Sequence, residues 1–315
     1  MDLEPAVRAE GLLRAGRPVV VLLSGGRDSV CLLDLAVRIA GARVVSALHV
    51  NYGLRDSASD DERFCRALCE RLGVALAVHR PPRPEGNLQA WARDQRYTQA
   101  ARLALDRGAD VAAGHTATDQ VETVLYRLAA SPGRRALLGM RPRDGRLVRP
   151  LLGVWREDVT AHCLERGLDW REDPSNASDA FTRNRARHGL VAELRRLHPA
   201  AEANVLRTVA LLRDEAAVLD AAVAVVLEEA GDPPPIERLA ALPPALARLA
   251  VQELADRAGG GRAPAVGHRT PEILGLGAAG ALDVGGGLRA LVEHGRLRFV
   301  PTPPRQGSRP DAVPA

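Results

Sequence analysis

An unbroken apolar run, Val19-Val20-Val21-Leu22-Leu23, ends on Ser24-Gly25-Gly26-Arg27-Asp28-Ser29 and is followed by a second apolar stretch from Val30 to Ile39. Five aliphatic residues in succession predict a strand buried on both faces. Gly-Gly stops it, and Asp28-Ser29 cap the helix behind it. Such a chain must place a helix N-terminus directly beyond the end of a strand, where unbonded N–H groups and the positive end of the helix dipole collect on one spot. That spot suits a phosphate. Gly25 and Gly26 let the backbone close on the anion, Ser24 and Ser29 supply hydroxyls, and Asp28 offers a carboxylate for a phosphate-bound Mg²⁺. The Gly-Lys-Ser/Thr loop of other phosphate binders is excluded, because the chain contains no lysine. A plain turn into a capped helix would use the same residues.

Further strand-like runs at 44–50, 75–79 and 111–113 alternate with helical stretches at 28–40, 57–72, 88–107 and 119–128. Repeated β-α units predict an α/β fold, a Rossmann-like parallel sheet with helices on both faces. Ligands of such sheets sit beyond the carboxyl ends of the strands, which gathers residues 24–29, His49-Val50-Asn51 and Gly114-His115-Thr116 on one edge. After about Arg196 the texture becomes Ala/Leu-rich and amphipathic, with helical stretches at 200–229 and 236–257 around Asp232-Pro233-Pro234-Pro235. We therefore expect a catalytic domain over 1–197 and a smaller, mainly helical domain over 198–300, with a small hairpin near 288–300. A disordered tail is expected over 301–315.

Composition narrows the function classes. Hydrophobic residues make up 46% of the chain, so it is not intrinsically disordered, and no apolar run approaches a membrane span. With a charged, helical start at 1–16 in place of a signal core, the expectation is a cytoplasmic protein, and a homodimer is left open. Cys31, Cys65, Cys69 and Cys163 form no regular framework and read as structural thiols, the alternative being a metal pair at Cys65 and Cys69. All 43 basic residues are arginine, for a net charge of +4. Six of them (Arg134, Arg135, Arg141, Arg143, Arg146 and Arg149) face a single acid, Asp144, within one stretch. This is either an anionic-polymer footprint or a solvated loop. With nine aromatic residues in the chain, nucleic acid would be held mostly through its phosphates.

Several segments bear on substrate. In Gly114-His115-Thr116-Ala117-Thr118-Asp119-Gln120-Val121-Glu122-Thr123, the carboxylates Asp119 and Glu122 are three apart and share a helix face. They serve either helix capping or the binding of a substrate ammonium. Arg93 and Arg96 share a face of the helix opened by Asn87-Leu88. Arg183, Arg185 and Arg187 alternate in a run that ordinarily marks a solvated surface.

The Ser-Gly-Gly-x-Asp-Ser loop resembles that of the N-type ATP pyrophosphatases, or PP-loop enzymes. More segments fall into the pattern of one branch: His49-Val50-Asn51-Tyr52-Gly53-Leu54-Arg55, Asn87-Leu88 through Arg93, the His115-to-Thr123 box, Gly139-Met140 followed by Arg149-Pro150-Leu151-Leu152, and Asp173-Pro174-Ser175-Asn176 with Arg183-Asn184-Arg185-Ala186-Arg187. Six segments in order, over about 22–197, closely resemble the bacterial tRNA(Ile)-lysidine synthetases in their short, two-domain form. Tyr52 stands where the family usually has His, Thr118 replaces the first Asp of Asp-Asp, and Ala130-Ser131-Pro132-Gly133 stands where Arg-Gly-x-Gly is usual.

The resemblance implies ATP-dependent ligation of L-lysine to C2 of the wobble cytidine in the CAU anticodon of tRNA(Ile), through an adenylated tRNA, with release of AMP and pyrophosphate. It implies ATP held by Ser24, Gly25, Gly26, Arg27, Asp28, Ser29 and His49, with Mg²⁺ at Asp28. Asp28, His115, Asp119 and Glu122 would form the catalytic group, Asp119 and Glu122 binding lysine. The tRNA contacts would come from Arg134, Arg135, Arg141, Arg143, Arg183, Arg185 and Arg187. A PP-loop tRNA thiolase, an amidating ligase acting on a small metabolite, and an RNA-binding protein without catalysis are the competing readings.

Overall fold

Val19–Leu22 forms the first strand, β1, buried along its whole length as a five-residue aliphatic run requires. The computed structural model describes residues 2–54, 56–82, 86–130, 133–172, 186–261, 263 and 266–303. Behind β1 come α2 (Arg27–Ala40), β2 (Val45–Val50), α3 (Ala58–Leu72), β3 (Ala75–His79), α4 (Leu88–Asp106) and β4 (Asp110–Ala112). A short helix, α1 (Glu4–Ala9), precedes them. Next are α5 (Ala117–Ala130), α6 (Arg134–Leu137), the two-residue strands β5 (Arg143–Asp144) and β6 (Leu147–Val148), and α7 (Arg156–Glu165).

The sheet order is β3-β2-β1-β4-β6-β5, parallel throughout except for the β5–β6 pair. Val19, Val21 and Leu23 pack with α2, α3 and α7 on one face. Val20, Leu22 and Val111 meet Ala100 and Ala104 of α4 on the other. The expected parallel sheet with helices on both faces is what the chain builds. Because the chain runs from β1 to β2 and β3 on one side and returns to β4 on the other, the strand order reverses between β1 and β4. That reversal opens a crevice at the carboxyl edge.

The chain divides into two compact units, Met1–Leu212 and Arg213–Ala315. The division falls inside the helix Ala201–Ala230, later than the change in sequence texture at Leu197. Within the second unit the helical stretch expected over 236–257 is two helices, Ile236–Ala240 and Pro244–Ala258. Pro243-Pro244 separates them, since proline is tolerated at a helix start and not in its interior. The small hairpin is a three-stranded antiparallel sheet, Gly280–Gly285, Leu288–Glu293 and Arg296–Pro301, whose inward residues Val284, Leu288, Ala290, Val292, Leu297 and Phe299 form the core with Val251 and Ile273. The last of these strands reaches Pro301, and residues 304–315 of the expected tail lie outside the described residues. No helix among the described residues is long and apolar enough to cross a membrane.

Candidate active site

The turn after β1 is closed by its own serines. Ser24 N–H donates to Ser29 Oγ (3.2 Å), the two hydroxyls lie 3.1 Å apart, Ser29 Oγ donates to Gly26 O (2.8 Å), and Gly26 N–H donates to Ser24 Oγ (3.3 Å). Gly25 adopts φ +86°, a conformation side chains rarely take, and a Cβ there would stand 3.3 Å from Cys65 Sγ. Gly26 precedes α2 in an extended conformation and gives it no side-chain cap. Ser29 N–H turns back to Gly26 O (3.0 Å), so the N–H groups that an anion would meet are those of Arg27 and Asp28, the first two helical positions. Arg27 occupies the first helical position, where a cation opposes the helix dipole unless a negative group joins it. Its Nε lies 3.2 Å from Asp28 Oδ1.

Two contacts from distant segments fix this turn. Arg171 N–H donates to Gly25 O (2.9 Å), while the Arg171 side chain is paired with Asp61. At the end of β4, a Cβ on Gly114 would lie 2.9 Å from Asp28 O, so only glycine lets the strand end approach the first turn of α2 so closely. That approach brings the 115–122 segment against the loop.

Asp119 and Glu122 are both buried on α5, and Glu122 is 0% exposed. Asp119 Oδ2 accepts from Thr116 N (2.8 Å) and Thr116 Oγ1 (3.0 Å), so Asp119 does close the start of α5. Its other oxygen takes Arg156 Nη2 at 3.3 Å. Glu122 does no capping. Arg187 holds it with two bonds, Nε to Oε1 at 2.6 Å and Nη2 to Oε2 at 3.2 Å, and Arg156 lies 3.9 Å away. Among the described residues, these two carboxylates and two guanidiniums form one cluster beside the loop. Asp28 belongs to it electrostatically: burial raises its carboxyl above the ordinary value, Arg27 opposes this, and the charge of Asp119 adds to it.

The structure therefore brings Ser24, Gly25, Gly26, Arg27, Asp28, Ser29, Asp119 and Glu122 together, with His115 partly buried between loop and helix. His49 sits differently. It is buried at the end of β2, and its Nδ1–H donates to Leu23 O (2.9 Å), bracing the strand end from which the loop departs. Arg187 is bound to Glu122, Arg143 to buried Asp110 (3.0 Å), and Arg134 and Arg135 are half-buried on α6. Arg141 is exposed. Arg183 and Arg185 lie outside the described residues. Cys65 lies beneath the loop and Cys69 one turn on; burial pushes their thiols up to about 12 and about 11, so neither is a ready nucleophile.

Sequence reasoning did not single out Arg156, Arg171 or Gln120. Arg156 carried a signal: an arginine in the first turn of a helix opposes the dipole, and here the carboxylates of α5 offset that cost. Gln120 reads the Gly139-Met140 turn through both amide groups, Nε2 to Met140 O (2.9 Å) and Met140 N to Oε1 (2.7 Å). A Cβ on Gly139 would strike that amide at 2.7 Å.

Comparisons agree with this geometry. The PP-loop domain family matches residues 5–194. A tRNA(Ile)-lysidine synthase from Symbiobacterium thermophilum is 36% identical over 334 residues, covering 96% of this chain and 69% of that protein. Those of Thermus thermophilus and Solibacter usitatus are 41% and 39% identical, covering 70% and 58% of this chain and 44% and 42% of theirs. The chain spans about half the length of the first curated relatives it matches. Among solved structures, the tRNA thiolase NcsA of Methanococcus maripaludis is similar in fold, with TM-score 0.56, 17% identity, and coverage of 67% of this chain and 78% of that one. With the loop, the α5 carboxylates and the sequence likeness in agreement, the chain belongs to the PP-loop domain family and, within it, to the tRNA(Ile)-lysidine synthases.

Proposed function

We propose that the chain adenylates the wobble cytidine of a CAU-anticodon tRNA(Ile) with ATP and then joins L-lysine to C2 of that base. The observation that carries the reading is the convergence, at the β1/β4 reversal, of an uncapped helix N-terminus with two buried carboxylates, Asp119 and Glu122. The cytidine O2 attacks the α-phosphate and pyrophosphate leaves. The Arg27 and Asp28 N–H groups and the Ser24 hydroxyl hold the phosphates, donating to oxygens whose charge grows in the transition state, while the Ser29 hydroxyl, spent on Gly26 O, keeps the turn closed. Asp28 would hold Mg²⁺, which supplies charge neutralisation to the departing pyrophosphate. The Asp28 carboxyl, raised first by burial and further by the charge of Asp119, fits that use, since a divalent cation would favour its ionised form.

In the second step a carboxylate of the α5 pair takes the proton of the lysine ε-ammonium, the neutral amine attacks C2, and AMP leaves with the oxygen that had been O2. Asp119 and Glu122 hold lysine ammonium groups by charge-assisted bonds. Arg156 and Arg187 bond the same two carboxylates, and their guanidiniums offset the cost of keeping them ionised in a buried site. The second unit adds surface for the tRNA, and the protein works in the cytoplasm. Labelled lysine, a CAU-anticodon tRNA(Ile) transcript, ATP and Mg²⁺ test the reading: label should enter the RNA with AMP and pyrophosphate as products. Formation of ADP and phosphate, or label entry independent of the CAU anticodon, would refute it.

A further inference from the structure

Arg149 ends β6 at the same carboxyl edge as the loop, yet it has no place in the chemistry above. It is 6% exposed, its Nη1 donates to Arg141 O (2.6 Å), and its Nε has no hydrogen-bond partner among the described residues. No carboxylate lies within ion-pair distance of it among the described residues. A buried guanidinium left in this state is costly unless a ligand completes it. Arg149 lines a cavity of about 400 Å³ with Arg93, Asp94 and Tyr97 of α4 and Asp144 and Leu147 of the β5–β6 turn. The residues from α4 come from its first three turns, which lie at the carboxyl edge because α4 follows β3. The cavity therefore opens beside the crevice, on the α4 face of the sheet.

Its lining selects the ligand class. Two guanidiniums and two carboxylates sum to no net charge, so a phosphate would meet as much repulsion as attraction. A nucleobase edge suits both, since it offers ring acceptors to the guanidiniums and an N–H to a carboxylate. The Arg93 guanidinium lies over the Tyr97 ring at 4.8 Å, and aromatic and guanidinium planes are the surfaces on which unpaired bases stack. Leu147 supplies an apolar wall.

We propose that this cavity holds a nucleobase adjacent to the reacting cytidine in the RNA, its edge read by Arg149 with Asp94 and Asp144, and its face set on the Tyr97–Arg93 platform. The inference rests on the RNA-modifying reading of the neighbouring crevice. Either neighbour in the anticodon loop, the uridine before the cytidine or the adenosine after it, has the required chemistry.

The test measures affinity for a CAU anticodon stem–loop carrying an abasic site at one neighbour or the other, with wild type, Arg93→Ala, Tyr97→Leu and Arg149→Leu. In wild type, one of the two abasic sites should weaken binding about tenfold, and that position identifies the base. In exposed Arg93→Ala and in Tyr97→Leu, the intact stem–loop should bind about tenfold more weakly and the abasic penalty should shrink to about twofold or less, with ATP affinity unchanged. Equal abasic penalties in all four proteins would overturn the pocket, as would Arg149→Leu losing thermal stability while keeping the wild-type penalty. If wild type does not distinguish the CAU stem–loop from an unrelated one, the functional reading fails and the pocket with it; CAU-selective binding with unchanged penalties defeats the pocket alone.

Discussion

The turn at 24–29 and the arginine stretch at 134–149 spend their polar groups in opposite ways. In the turn, the serines bond to one another and to Gly26 while the Arg27 and Asp28 N–H groups stay presented, so the segment is rigid and its remaining capacity is directed outward. Much of the arginine stretch is turned inward. Arg143 pairs with buried Asp110, Arg146 Nη1 donates to Ala109 O (3.1 Å), and Arg149 is buried behind Arg141 O. Two of its six guanidiniums, those of Arg143 and Arg146, staple the short β5–β6 edge to β4. A sum of charges along a segment thus measures its potential to bind an anion only after the charges used in its own construction are subtracted.

The contrast can be broken most severely at the loop. Asp28→Ala should lower turnover about 10²–10³-fold while leaving the unfolding midpoint near wild type, because burial already works against its ionised form and its charge interacts with Asp119 and Arg156 of the site. A loss confined to stability would place Asp28 with the structural residues. Next in size is Glu122→Gln, expected to raise the lysine concentration for half-saturation about tenfold to a hundredfold with little change for ATP. The alternative is that Glu122 serves only to hold Arg187. In that case thermal unfolding would shift while lysine saturation stayed normal.

What the sequence made legible was local. The loop and the shared face of Asp119 and Glu122 follow from spacings of six residues or fewer, and the strand runs gave β1 to β4 but not the two-residue β5 and β6; the expected Asp28-Ser29 cap does not form, because α2 begins on Gly26 with Asp28 already inside its first turn. The partners of those carboxylates were not legible. Glu122 meets Arg187 across 65 positions, and nothing in an alternating arginine run distinguishes a buried ion pair from a solvated surface. The same holds for the support beneath the loop, where buried Asp34 of α2 meets His162 of α7 (3.0 Å) with Arg166 at 3.6 Å, joining the helix behind the phosphate loop to the helix that carries Arg156. Burial would raise the Asp34 carboxyl, but the His162 bond and the Arg166 charge outweigh it and hold it below its ordinary value. A depressed carboxyl contributes stability that is complete above the unfolded value and is lost as pH falls through the folded one. Asp34→Asn should therefore cost about 2 kcal/mol in denaturant unfolding at neutral pH, and the gap from wild type should close below about pH 4. A gap independent of pH would assign the pair a packing role only.

The smallest effect is the most direct test of the contrast, because it separates arginines within one stretch. Exposed Arg141 remains available to an RNA phosphate, whereas Arg143 is committed to Asp110, which is 5% exposed. If tRNA is held at this edge through phosphates, Arg141→Ala should flatten the dependence of log affinity on log salt by about one unit, the signature of one released counterion. Arg143→Ala should leave that slope unchanged and instead lower stability by about 1 kcal/mol, since Asp110 then keeps only Arg17, at 3.7 Å and more than half exposed. Equal slopes lost by both variants would mean that the Asp110 pair opens when RNA binds, and the inward arginines would then count toward the footprint after all. Slopes unchanged in both would remove Arg141 as well as Arg143 from the phosphate contacts.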